Sequence, residues 1–131
     1  MTRLLIVAAG GALGAVARYG VGAWAGRLFS TPGWPWGTLA VNVAGGLLMG
    51  LLAGWLAFRG GVHAESIRLF AAVGVLGGFT TFSAFSLETA LMIERRQFAM
   101  AGGYAALSVV LSIAALFVGL MVARRAFGAA L

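Results

Sequence analysis

Hydrogen-bonding side chains without charge stand inside stretches of this sequence that are otherwise almost entirely apolar. Tyr104, Ser108 and Ser112 follow one another at intervals of four residues, which places their hydroxyl groups on one face of a helix. A single serine in an apolar helix often bonds only to its own backbone, whereas a row of three hydroxyls favours a polar track. The hydroxyl groups of such a track are hydrogen-bond donors for an ion, and they carry no full charge themselves.

Asn42 is an amide near the start of the second apolar stretch, shortly after Gly37. An unpaired amide in hydrocarbon is costly, so this side chain must face protein, water or an ion. Its two N–H groups could serve an anion. Alternatively, the amide could join two helices by hydrogen bonds, and the sequence leaves both roles open.

Arg18 stands within the first apolar stretch. A charge inside a membrane span is expensive and is a functional-site hypothesis by default. The competing interpretation is that its long side chain reaches from the last turns of the helix to the lipid headgroups. Attraction of anions into a vestibule and simple contact with headgroups are therefore both open.

The third apolar stretch combines glycines, hydroxyls and aromatic rings in one run, Gly74-Val-Leu-Gly-Gly-Phe-Thr-Thr-Phe-Ser-Ala-Phe-Ser86. The glycine pair Gly77-Gly78 weakens a helix and predicts a kink or break in the middle of this stretch. Backbone carbonyls freed there would be good ligands for a hard cation such as Na⁺. Phenylalanines in a span are usually core or lipid-facing, although the positive edge of a ring can also face an anion.

The composition of the sequence predicts the structural elements that must position these groups. Hydrophobic residues make up 62% of the 131 residues, charged residues 9%, and the mean hydropathy is +1.02. A soluble domain of this length cannot bury so much apolar surface. The sequence therefore predicts a single all-α membrane domain, residues 1–131, in the lipid bilayer, with spans at about 4–28, 39–58, 67–93 and 98–123. The runs are too long and continuous for the alternating strands of a barrel.

The distribution of charge excludes several other functions. The net charge of +6 comes from nine arginines that stand singly or in pairs between apolar runs. This is the pattern of residues that flank membrane spans, and it differs from the clustered patch of a nucleic-acid-binding protein. The absence of cysteine excludes thiolate metal sites, and one histidine with no aspartate leaves little for an enzyme's catalytic groups.

The arginines also bear on orientation, because four spans put both termini on one side of the membrane. Five arginines belong to that side and four to the other: Arg3, Arg59, Arg68, Arg124 and Arg125 against Arg18, Arg27, Arg95 and Arg96. The positive-inside rule needs a larger asymmetry. The chain is therefore expected to insert in both orientations and to pair as an antiparallel homodimer. Glycines repeated every four residues, as in Gly46, Gly50 and Gly54, favour close helix packing within the chain or between subunits.

At Gly77-Gly-Phe-Thr-Thr-Phe-Ser-Ala-Phe-Ser86, followed by Glu88 and Thr89, the chain closely resembles the signature of the Fluc/CrcB family of fluoride channels. The resemblance continues in Gly37-Thr-Leu-x-Val-Asn42 and in Gly-Ala-Leu-Gly-Ala-x-x-Arg18. One departure is Ala84, where the family often has threonine, and this removes one hydroxyl.

The resemblance implies a dual-topology homodimer with two antiparallel pores that give passive, selective efflux of fluoride across the inner (plasma) membrane. It implies a structural Na⁺ at the dimer centre, held by the backbone carbonyls of Gly77 and Thr80. It also assigns the ion pathway to the side chains of Asn42, Thr81, Phe82, Ser83, Phe85, Tyr104, Ser108 and Ser112, with Arg18 and Glu88 in a vestibule.

The alternative is a small proton-coupled multidrug transporter, which also has four spans. That chemistry needs a carboxylate embedded in the membrane to exchange a proton for a cationic substrate. The first span contains Arg18 and no acid, and Glu88 lies near the end of a span. The channel is therefore the preferred hypothesis.

Overall fold

A computed structural model describes residues 1–29 and 31–128, and it is all-helical over this part of the chain. Helices α1 (Thr2–Leu28), α2 (Trp36–Arg59) and α6 (Phe98–Phe127) are single long helices. The third span is built from several pieces within Gly61–Glu94. The four predicted spans are confirmed as helices long and apolar enough to cross a membrane. Part of the predicted loop before α2, Ser30, lies outside the described residues.

The third span begins with a 3₁₀ turn (Gly61–His63) and α3 (Ala64–Ile67). A π-helical segment (Arg68–Leu76) and α4 (Gly77–Phe79) continue it without interruption. After two extended residues, α5 (Phe82–Glu94) completes the span. π-Helix is rare and normally occurs as single turns, often at functional sites, so a nine-residue segment is unusual.

Helices α2 and α6 pack closely because α2 presents glycines to α6. A β carbon added to Gly50 would lie 3.0 Å from the backbone nitrogen of Leu120, and one added to Gly46 would meet the carbonyl oxygen of Ser112. The sequence allows the glycine repeat of α2 to pack helices within one chain or between subunits. In the structure these glycines pack α2 against α6 of the same chain.

Helix α1 packs against the π segment and α4 in the same manner. A β carbon at Gly10 would lie 3.0 Å from the Cα of Gly74, and one at Gly78 would lie 2.6 Å from the carbonyl oxygen of Gly11. Gly22 and Gly26 are also four residues apart in α1, but among the described residues a β carbon added at either one meets nothing within 4 Å. Backbone-to-backbone packing thus joins the first half of the third span to α1.

The predicted position of the break is wrong by a few residues. Gly77 is helical (φ −62°, ψ −39°), and the helix is interrupted at Thr80 (φ −83°, ψ 157°) and Thr81 (φ −150°, ψ 119°). Gly78 allows α4 to pack closely against α1, because a side chain at this position would collide with α1. The interruption occurs where a side chain of α2 replaces the backbone hydrogen bonds.

A tight turn connects α5 to α6. Arg96 adopts a left-handed backbone conformation (φ 59°), and the N–H of Gln97 donates to the carbonyl of Met92 over 2.9 Å. This pattern is a helix C-terminal motif that reverses the chain at once. It returns α6 along α5 and brings Tyr104 opposite Glu88.

Candidate functional site

The break in the third span is held by Asn42. The N–H of Thr81 donates to the Oδ1 of Asn42 over 2.8 Å, and the Nδ2 of Asn42 donates to the carbonyl of Thr81 over 3.0 Å. The amide of α2 therefore joins two helices, which was one of its two predicted roles. An amide nitrogen carries two N–H donors, so one of them is not used by Thr81.

At this break the backbone carbonyls of Gly77, Gly78, Phe79 and Thr80 lose their helical donors, and for Gly77 and Thr80 a side-chain oxygen accepts the donor instead. In an α-helix the N–H of Thr81 would donate to Gly77, but here it donates to Asn42. The N–H of Ala84 would donate to Thr80, but it donates to the side-chain oxygen of Thr81 over 3.1 Å. Gly77 and Thr80 are the residues whose carbonyls the sequence analysis proposes as cation ligands.

Glu88 accepts a hydrogen bond on each carboxylate oxygen. The hydroxyl of Thr38 donates to Oε1 and the hydroxyl of Tyr104 donates to Oε2, both over 2.6 Å. This distance is typical of hydroxyl–carboxylate bonds, which are stronger than bonds between neutral groups. Tyr104 is completely buried. The sequence analysis missed Thr38, although Thr38 stands in the run Gly37-Thr-Leu-x-Val-Asn42 that resembles the family.

The predicted vestibule residues line one cavity. This cavity has a volume of about 330 Å³, and its walls include Arg18, Gly37, Thr38, Thr81 and Glu88. Within the described part of the chain, Arg18 has no carboxylate oxygen within 4.0 Å. Arg18 therefore lines the same cavity as Glu88 without forming an ion pair with it.

A second, open groove of about 420 Å³ lies on the other side of Thr81. The residues that line it and that the sequence assigned to the ion path or the cation site are Asn42, Thr80, Thr81, Phe82, Phe85, Ser108 and Ser112. Among the described residues, the hydroxyl oxygens of Ser108 and Ser112 are buried and have no hydrogen-bond partner. Buried polar groups are nearly always satisfied, so these two hydroxyls lack the partner that a buried hydroxyl normally has.

The three residues of the predicted polar track are thus divided between two environments. Ser108 and Ser112 line the groove, whereas the hydroxyl of Tyr104 points to Glu88 at the vestibule. Thr81 is one of the residues that line both cavity and groove. Its buried side chain therefore lies between them.

Aromatic rings extend from the groove towards the vestibule. The ring centres of Phe82 and Phe85 are 5.5 Å apart, and those of Phe85 and Tyr104 are 5.3 Å apart. Trp34 continues the row with an edge-to-face contact on Tyr104 at 5.6 Å. Phe82 is 78% exposed at the outer end of this row, while Phe85 is partly buried.

Ser83 differs from the other predicted pathway residues. Its side chain is exposed, and its hydroxyl lies 3.2 Å from the hydroxyl of Thr81. It lines neither the cavity nor the groove. Ala84, the departure from the family pattern, lines the vestibule cavity instead.

The chain is similar to known proteins over nearly its whole length. Residues 5–120 match the family model described as CrcB-like protein, Camphor Resistance (CrcB). A protein of Caulobacter sp. (strain K31), named fluoride-specific ion channel FluC, is 65% identical over 127 residues, which cover 97% of this chain and 98% of that protein. Proteins with the same name from Caulobacter vibrioides (strain NA1000 / CB15N) and Phenylobacterium zucineum (strain HLK1) are 62% and 61% identical, with 97% of this chain and 99% of each protein covered.

Proposed function

The chain belongs to the CrcB family, and on that premise we propose that it is a fluoride-selective channel through which fluoride leaves the cell passively. The family resemblance seen in the motif of the third span is thereby confirmed. The observation that carries the proposal is the similarity over nearly the full chain to proteins named fluoride-specific ion channels. These are not enzymes by name, and they argue against the alternative of a proton-coupled multidrug transporter.

The route that we propose for fluoride begins at the vestibule, passes Thr81 and follows the groove. Fluoride is small and strongly hydrated, so a pore must replace its water with other hydrogen-bond donors. The unpartnered hydroxyls of Ser108 and Ser112 and the remaining N–H of Asn42 are such donors, and none carries a full charge. Several weak sites in series let the ion enter and also leave.

The phenylalanines contribute in a different way. The edge of an aromatic ring carries partial positive charge, and Phe82 and Phe85 both line the groove. Their edges would stabilise an anion that has shed part of its water. Arg18 in the vestibule would raise the local concentration of anions before they enter.

We further propose that the working channel is an antiparallel homodimer, with the interruption at Thr80 and Thr81 in the middle of the membrane. The groove is open on one side, and the ring of Phe82 is 78% exposed in a single chain. A second copy would close the groove and cover the ring. The near balance of five arginines against four supports insertion of copies in both orientations.

The break also fits a structural Na⁺ between the two copies. The carbonyls of Gly77 and Thr80 have lost their helical donors, and Gly77 is exposed on the surface of the chain. Uncharged carbonyl oxygens are the ligands that replace the water of a monovalent cation in membrane proteins. When bound, such an ion would supply a fixed positive charge and link the copies.

The test is fluoride efflux from liposomes that contain the purified protein, followed with a fluoride electrode after a potential shunt is added. We expect rapid efflux of fluoride and much slower efflux of chloride. Efflux of a lipophilic cation that depends on a proton gradient, without efflux of fluoride, would instead favour the transporter. In cells, the proposed inner-membrane location predicts that the gene protects against external fluoride.

A further inference from the structure

At the interruption of the third span, two side-chain oxygens accept hydrogen bonds from backbone N–H groups that would donate to carbonyls in a continuous helix. The last helical bond before the interruption runs from the N–H of Thr80 to the carbonyl of Leu76 over 3.0 Å. The next bond of the ladder would run from Thr81 to Gly77. Instead, the N–H of Thr81 donates to the Oδ1 of Asn42. Threonine itself is able to continue a helix, so the residue type at position 81 does not require the interruption.

Thr81 acts in the same way one turn further along. Its Oγ1 accepts from the N–H of Ala84 over 3.1 Å, so that donor does not return to the carbonyl of Thr80. Thr81 is thereby the N-cap of α5 and is also the residue that Asn42 holds in an extended conformation. Both substitutions depend on this one buried residue.

We propose that Asn42 and Thr81 are positioning residues for the cation site, because they keep the carbonyls of Gly77 and Thr80 free of helical donors. The inference rests on the proposed Na⁺ site and adds to it the side chains that create it. If either side chain loses its acceptor oxygen, the helical donor can return to its carbonyl and compete with the cation.

The same arrangement links the cation site to the ion path. Asn42 bonds to the backbone at the break and also lines the groove, where its second N–H remains unused by Thr81. Substitution of Asn42 should therefore change the response to Na⁺ in addition to any change in fluoride flux. A residue that only lined the groove would affect flux alone.

The experiment measures the melting temperature of the purified dimer in detergent as Na⁺ is exchanged for N-methylglucamine at constant ionic strength. The variants are Asn42→Ala, Thr81→Val and Thr81→Ser, since valine keeps the shape of threonine without the acceptor and serine keeps the acceptor. Thr89→Val is the matched control, because the hydroxyl of Thr89 bonds to a carbonyl of its own helix, that of Phe85 over 2.8 Å.

We expect the Na⁺ concentration that gives half of the stabilisation to rise about tenfold or more in Asn42→Ala and Thr81→Val, since one lost interaction of this kind is worth roughly a factor of ten. Thr81→Ser and Thr89→Val should keep the value of the unmodified protein. Asn42→Ala should melt below the unmodified protein even without Na⁺, because two hydrogen bonds to Thr81 are lost, and the difference should widen as Na⁺ is added.

Two results would overturn the inference in different ways. If the unmodified dimer shows no response to Na⁺, the cation proposal itself fails, and this inference with it. If the unmodified dimer responds but Asn42→Ala and Thr81→Val are destabilised equally at every Na⁺ concentration, the two side chains only support the fold. Fluoride efflux of the unmodified protein decides the channel proposal separately.

Discussion

At the scale of single residues, Glu88 is the most tightly held group of the site. Its two oxygens accept from Thr38 on α2 and Tyr104 on α6, while the residue itself belongs to α5. Hydrogen bonds to a charged group contribute about 1.5–3 kcal/mol each. The three helices are therefore joined at the vestibule by one carboxylate whose position two hydroxyls determine.

Removal of one of these hydroxyls should release the carboxylate. We expect Tyr104→Phe to lower fluoride efflux by about tenfold, since the loss of roughly 1.4 kcal/mol of positioning corresponds to that factor. A freed Glu88 can turn its negative charge towards an arriving anion. The measurement is efflux from liposomes at equal protein content. Thr38→Val should cause a similar loss, whereas unchanged efflux in both variants would show that fluoride efflux does not depend on how Glu88 is held.

The ring of Phe82 allows a second test at this scale. Phe82→Ile keeps an apolar side chain but removes the positive ring edge, so we expect slower fluoride efflux with the dimer intact. Phe98→Ile is the control, because Phe98 is also exposed (62%) but lies at the start of α6 and lines neither cavity. Equal efflux from both variants would remove Phe82 from the ion path.

At the scale of elements, hydropathy was sufficient to predict the four helices but not the details of the third. The position of the break depends on Asn42, which is 39 residues away from Thr81 along the chain. A local pattern such as Gly77-Gly78 cannot include such a contact, and it pointed to residues that are helical instead. The π-helical segment was not predicted either. It packs against α1, which is distant along the chain, and π-helix has no simple sequence pattern.

The glycines of α1 show how closely α1 packs against the π segment. Substitutions at the neighbouring positions Gly10 and Gly11 form a matched pair of variants. Gly10→Ala would place a β carbon 3.0 Å from the Cα of Gly74 and closer still to the carbonyl oxygen of Phe70. We expect it to cost about 1–3 kcal/mol, as overpacking usually does. Gly11→Ala meets no atom within 4 Å and should be neutral or stabilising by about 1 kcal/mol through helix propensity.

Thermal denaturation in detergent separates the two variants. A lower melting temperature for Gly10→Ala, beside an unchanged or higher one for Gly11→Ala, is the expected result. Equal shifts would mean that α1 and the π segment can separate without loss, and that their glycines are not required for close approach.

At the scale of the whole molecule, the proposed ion path is incomplete in a single chain. Both the vestibule cavity and the groove with Ser108 and Ser112 are partly open, and the groove includes the exposed ring of Phe82. The sequence could indicate both parts through residue types at helical spacing. It could not show that the hydroxyl of Tyr104 bonds to Glu88 while the two serines line the groove, because that division depends on how α5 and α6 face each other.

The proposed antiparallel dimer requires chains in both orientations, and the arginine balance offers a way to control this. Substitution of Arg95→Ala with Arg96→Gly leaves five arginines against two, and glycine suits the left-handed conformation at position 96. Substitution of Arg124→Ala with Arg125→Ala, together with Gln97→Lys, gives three basic residues against five. Each variant should insert in mainly one orientation, opposite to that of the other.

Neither variant alone should protect cells from fluoride, because copies of one orientation cannot form antiparallel pairs. Co-expression should restore protection, and full protection by either variant alone, with its orientation verified by labelling, would contradict the antiparallel dimer.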